Sequence, residues 1–194
     1  KIHFLKHFVA NWFKNIGARE VIPASELYIR HAGNITGAVQ PLTGAEMLAG
    51  GVPENEALGT FGYHFDIRGG IKGLGNRSSE KGLEQVSLHL PPLTNFGIQH
   101  ALVKDVPNLA VISPASGFEG YACSAGRIVE FNCGVGQGLG IGIGIALSQN
   151  RLLAGISNVE VREVLVDTGR LPKIYGVSYI EQARELDVFE NLIA

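Results

Sequence analysis

Apolar residues recur at Phe4, Leu5, Phe8, Val9, Trp12, Phe13 and Ile16, with Lys6, Asn11, Lys14 and Asn15 opposite them. That spacing predicts an amphipathic helix, ended by Gly17, whose apolar stripe serves a core or an interface. The pattern then changes to short alternating runs. Ser25 to Arg30 and, after a Gly33-Asn34 turn, Asn34 to Leu42 read as strands. Thr43 with Glu46 three residues on forms a capping box for a short helix through Ala49. Ala57 to Arg68 reads as a strand that sets His64, Asp66 and Arg68 on one face. Gly69 to Gly82 is polar and glycine-rich, the pattern of a mobile loop and of a proteolytic nick. Val86 to Leu90 alternates as a strand. Asn158 to Gly169 predicts a helix stopped by its glycine, and Ser178 to Ala194 an amphipathic terminal helix without a functional signal.

The run from Cys133 to Ser148 departs from all of these, placing Gly134, Gly136, Gly138, Gly140, Gly142 and Gly144 at every second position. As a strand it would lay a glycine face against another backbone. As a helix it would carry Gly134, Gly138 and Gly142 on one stripe and Gly136, Gly140 and Gly144 on a neighbouring stripe. Each interior glycine costs a helix about 0.5 to 1 kcal/mol relative to alanine, so six require compensation from close approach by a strand, a helix or a flat ligand. Propensity alone leaves strand and helix open.

Composition narrows the function classes. The 194 residues are 45% hydrophobic and 18% charged, enough for a substantial core in one medium domain or two small ones. A net charge of -2 without a basic run argues against nucleic acid. No 18-residue stretch is uninterruptedly apolar, and the glycine run reads as too short and too flexible to span a bilayer. Cys123 and Cys133 lack zinc-site spacing, so no metal is expected. They read as buried thiols of a reducing, cytoplasmic compartment. An opening at Lys1 without a signal-peptide pattern fits a carboxy-terminal piece of a longer polypeptide.

Several segments carry a resemblance. Asn108-Leu-Ala-Val-Ile-Ser-Pro-Ala-Ser116, the small-residue loop to Gly126, and Arg127 leading through Cys133 into the glycine run resemble the carboxy-terminal flavin-contacting segment of FAD-dependent oxidoreductases of the glutathione-reductase-like superfamily. There a strand ending N-L-x-V-A-G-R leads through S-x-R-x-E-P-x-x-M into a helix beginning G-x-A-A-G. The stretches L-Y-I-R, L-T-G-x-x-M-L-A-G, A-L-G-T-F and Phe96 to Asn108 are similar to other segments of that family, and the likeness runs from about Glu26 to Tyr175. It favours the helix for the glycine run. Two departures stand out: Ser113-Pro114 replaces the family's Gly-Arg, and Gln99-His100 replaces its Pro-Tyr-Arg.

The resemblance implies an α+β or α/β fold: a mixed substrate-side sheet, followed by the closing strand and glycine-rich helix of an FAD-binding domain. The corresponding segments are an amphipathic helix at 1–25, the substrate-side region at 26–107, the FAD-contacting segment at 108–176 and a terminal helix at 177–194. It implies FAD contacts at Ser113, Ala115, Ser116, Arg127, Cys133, Gly134, Gly136 and Gln137. The first turn of the helix near Cys133 to Gln137 would offer N–H groups to the ring. Arg127 either meets an anionic group or pins its loop. Arg30, Asp66 and Arg68 are the substrate-side candidates, and His64, His100 and Tyr121 the catalytic ones. His64, Asp66 and Arg68 read equally as a structural ion pair beside a solvated histidine. No G-x-G-x-x-G turn follows a strand, so the adenine half of FAD requires a missing amino-terminal dinucleotide-binding portion or a partner chain. The other reading is a non-catalytic α+β interaction module that keeps the fold without flavin.

Overall fold

The structure, a computed structural model, describes residues 2–20, 35, 37–63, 92–176 and 178–193. The strands expected at Ser25–Arg30 and Val86–Leu90, the loop at Gly69–Gly82, and the candidates Arg30, His64, Asp66 and Arg68 lie outside the described residues. The chain forms two compact units, Lys1–Arg30 and His31–Ala194.

In the first unit, helix α1 spans Ile2–Asn15. Gly17 stops it at φ 97°, where its N–H reaches the Lys14 carbonyl at 3.1 Å and the Ala18 N–H reaches that of Phe13 at 3.0 Å. A left-handed glycine directly after the last turn is the terminator the sequence predicts.

The second unit is α+β. It contains β1 (Leu42–Thr43), α2 (Gly44–Leu48), β2 (Gly59–Gly62), β3 (Leu93–Phe96), β4 (Phe118–Glu119), α3 (Cys123–Gly126), α4 (Val129–Gln149), α5 (Asn158–Asp167) and α6 (Ile180–Ile193). β1 pairs in parallel with β4, Leu42 opposite Phe118, and β2 pairs antiparallel with β3, Gly59 opposite Phe96. These are two separate two-stranded pairs among the described residues, smaller than the mixed sheet expected. Residues 108–112 are likewise no buried strand. Only Ala110 bridges, to Leu102, while Leu109 and Ile112 are 45% and 44% exposed.

Local signals hold the short helices. Thr43 Oγ1 accepts from Glu46 N–H at 3.1 Å, and Glu46 Oε2 accepts from Thr43 N–H at 2.8 Å, completing the expected box on α2. The same reciprocal pair, Ser157 with Glu160, opens α5. Between them the core gathers on α4, where Phe131 lies 5.4 Å from the rings of Phe61 and Phe96 and 5.7 Å from Phe118. α6 docks on α2, with Leu186 fully buried and Tyr179 N–H donating to the Leu48 carbonyl at 2.7 Å.

Candidate functional site

α4 places the residues the resemblance points to, and it settles the strand-or-helix question in favour of helix. All six glycines lie inside its 21 residues. At about 100° per residue the two stripes stand roughly 200° apart, on opposite sides of the helix. The stripe of Gly134, Gly138 and Gly142 faces the core. A Cβ at Gly134 would lie 2.6 Å from Phe96 Cζ, and one at Gly138 2.7 Å from Leu58 Cδ1 and 2.9 Å from Ile98 Cγ2. The compensation for these glycines is close approach by side chains rather than by a backbone. The other stripe is bare. At Gly136 a Cβ would meet only Ile112 Cδ1, at 3.7 Å, and at Gly140 and Gly144 nothing within 4 Å among the described residues.

The helix starts at Val129, earlier than the glycine run. Cys133 to Gln137 therefore fall in its second turn and the start of its third, where N–H groups are committed to the ladder. The first-turn donors belong to Val129, Glu130 and Phe131. At 21 residues α4 extends beyond the glycine run and is long and apolar enough to cross a membrane by length and composition alone; one third of its most apolar window is buried. Cys133 is exposed and Cys123 half-buried; both are free thiols, so Cys133 is not the buried thiol expected. Gln137 is exposed beside the bare stripe, whereas Gly134 faces the core.

The loop ahead of α4 bonds largely to itself. Ser113 N–H donates to Ser116 Oγ at 3.3 Å, Ala115 N–H to Ser113 Oγ at 3.0 Å, and Ser116 N–H to the Ser113 carbonyl at 3.0 Å. Ser116 Oγ also donates to the Val111 carbonyl. Arg127, at the end of α3, is half-buried. Its Nη2 donates to the Tyr63 hydroxyl at 3.4 Å, and its guanidinium carbon sits 5.7 Å from the Tyr63 ring centre. Asn132, which the sequence reading passed over, locks the junction of α3 and α4. Its Nδ2 donates to the carbonyls of Gly126 at 2.7 Å and Ile128 at 2.9 Å.

The catalytic candidates part company. His100 packs against Phe118 at 4.8 Å and Phe131 at 5.7 Å between ring centres, and its buried Nε2 has no hydrogen-bond partner among the described residues. Burial lowers its pKa to about 4, so the ring is neutral at physiological pH. It lines a cavity of about 250 Å³ together with Glu46, Glu56, Asn95 and Gln99. Tyr121 does not line that cavity. Its backbone N–H donates to Glu190 Oε1 at 2.8 Å, and burial, then the nearby Glu190 carboxylate, push its phenol pKa up. Glu190 itself was not legible as a site residue. It reaches back from α6 to accept from Gly44 N–H and Ala45 N–H, each at 3.2 Å.

No family model, curated protein or solved structure matches this chain. The likeness to FAD-dependent oxidoreductases thus rests on the motifs quoted above.

Proposed function

We propose that this chain is the carboxy-terminal portion of an FAD-dependent oxidoreductase, contributing ring-side contacts and part of a small-molecule substrate site. The observation that carries the reading is the bare stripe of α4. Gly136 and Gly140 present helix backbone without side chains beside Ile112, a flat apolar shelf on which a planar ring can lie. When bound, the flavin supplies hydride or electron transfer. The chain's own part is positional: Gly136 admits close approach, and the first-turn N–H groups at Val129 to Phe131 favour negative charge near them. Arg127 supplies a cation above the Tyr63 ring. His100 lines the adjoining cavity and stays neutral, its pKa lowered to about 4, so its part is to orient a polar substrate by hydrogen bonding and not to hold a proton taken from it. The substrate and the amino-terminal portion or partner chain that would hold the adenine half belong to the same proposal, as does a cytoplasmic setting.

One observation favours the alternative, a flavin-free interaction module. The N–H groups of Ser113, Ala115 and Ser116 are spent within their own loop, which leaves fewer donors for a cofactor there.

The test is Gly136→Leu in the protein carrying its amino-terminal portion, with flavin absorbance per mole and melting temperature both measured. The expected outcome is loss of flavin with a melting temperature no lower than that of the wild type stripped of flavin, because the added side chain enters the shelf and not the core. Full flavin content in the variant overturns the shelf. A wild-type protein purified without flavin, and taking up none on titration, supports the module instead.

A further inference from the structure

α1 carries cations and exposed apolar surface on one short helix. Residues 1–19 hold Lys1, Lys6, Lys14 and Arg19 and no carboxylate, whereas the other 175 of the 194 residues hold the remaining 12 of 16 cations and all 18 carboxylates. On the helix Phe8, Trp12, Phe13 and Ile16 are 62%, 52%, 40% and 62% exposed. At about 100° per residue these four fall within an arc of about 140°, with Asn11 and Lys14, both exposed, on the other side. Ile16 keeps the helical register, its N–H reaching the Trp12 carbonyl at 3.3 Å. The Trp12 and Phe13 rings meet edge to face, 4.9 Å between centres.

We propose that α1 lies in the headgroup layer of an anionic membrane, with Trp12, Phe13 and Ile16 toward the acyl chains and the Lys14 side toward the headgroups. A helix with aromatic and aliphatic residues on one face and lysine on the other is suited to the interface plane, where it sinks about 5–10 Å into the boundary. Trp favours that depth because its ring is apolar and its N–H polar. Charge selects lipid over protein. A polar face of cations and amides without a carboxylate offers no pattern of paired charges by which one protein surface is told from another, and a layer of anionic headgroups requires none. No membrane partner is expected from the sequence, which lacks an uninterrupted apolar stretch long enough to cross one; lying on a membrane needs only this one helix.

Trp12 is the single tryptophan of the chain, so its emission reports α1 alone. The full chain is titrated with phosphatidylcholine vesicles containing phosphatidylglycerol, following tryptophan emission and co-sedimentation. The expected result is a shift to shorter wavelength with recovery in the vesicle pellet, weakened by added salt. Replacing Lys6 and Lys14 together by Gln should lower vesicle affinity about 25-fold, since each cation near such a surface contributes roughly fivefold. No emission change with anionic vesicles overturns the proposal. Equal binding to pure phosphatidylcholine overturns it as well, and so does sedimentation with unchanged emission, which would point to another surface such as α4. Emission already at short wavelength without lipid, with the chain eluting as a dimer, assigns the face to a second copy and also overturns it.

Discussion

The two sides of α4 carry the same residue at the same spacing and live in different surroundings. Gly134 and Gly138 are glycines because Phe96, Leu58 and Ile98 already occupy the space a methyl group would take, while at Gly142 a methyl group would meet Ile98 Cδ1 in ordinary contact at 3.4 Å. Gly136, Gly140 and Gly144 meet no such neighbour among the described residues, so nothing in this part of the chain offsets their helix cost of about 0.5 to 1 kcal/mol each. A periodic sequence records that close approach occurs. It does not record on which side, because the second party is defined by tertiary structure.

The comparison breaks most violently at Gly138. Gly138→Leu should destabilise the second unit by about 3 kcal/mol or more, since even the first added carbon falls within 3 Å of two buried side chains. Chemical denaturation reads this directly, and an unchanged unfolding midpoint would show that the packed side is not packed.

The next largest effect is on pH and tests the aromatic anchor of the packed side, where His100 meets Phe131. The folded pKa of about 4 lies below the ordinary 6.5, so the unfolded chain takes up the proton first as pH falls. The contribution of His100 is fully present above pH 6.5 and declines toward pH 4, with roughly 2 kcal/mol lost by pH 5. Glu190 runs the other way: burial raises its pKa, so its contribution is present at low pH and falls as pH rises through the folded value. His100→Gln separates the two, because it should flatten the decline below pH 6.5 and leave the Glu190 slope. A loss of stability from pH 6.5 toward pH 4 that persists in that variant assigns the acid sensitivity elsewhere.

The smallest effect lies on the bare side. Gly140→Ala should stabilise this chain by about 0.5 to 1 kcal/mol, the ordinary gain of alanine over glycine in an open helix. In the protein with its amino-terminal portion, the gain should disappear if a cofactor or backbone lies on that stripe. Equal stabilisation in both settings would mean the stripe stays uncovered, which sharpens the contrast into a question of what the second side is for.

How much of this was legible beforehand follows physical locality. Gly17 after α1, the box of Thr43 and Glu46, and the stop of α5 at Gly169 with φ 63° are each decided within four or five residues, and each stands where the sequence put it. Ser157 with Glu160 obeys the same rule and was readable, though passed over. The opening of α4 at Val129 was not, because Ile128 caps it without a side-chain hydrogen bond and leaves no mark in the residue types. The closing strand that the resemblance implies after Asn108 failed for a related reason: Leu109 and Ile112 are exposed, and a likeness of motifs does not say whether a partner strand exists. Of the candidate site, His100 beside its cavity and the bare Gly136 could be nominated from sequence. That Cys133 and Gln137 lie past the first turn, and that Gly134 faces inward, required the helix axis.

Glu190 has a consequence for the order in which the protein is made. The donors it satisfies belong to Gly44 and Ala45, 146 and 145 residues earlier, and to Tyr121, 69 residues earlier. During synthesis α2 and the turn at Tyr121 leave the ribosome long before the carboxylate that joins them. Until residue 190 emerges those N–H groups have only water. The second unit cannot close vectorially from its amino-terminal side; its last step waits for a long-range contact, the kind that slows folding because loop entropy is lost before the contact forms. A ribosome pausing within α6 would hold a chain with its core elements built and the link between its earliest helix and Tyr121 still unmade.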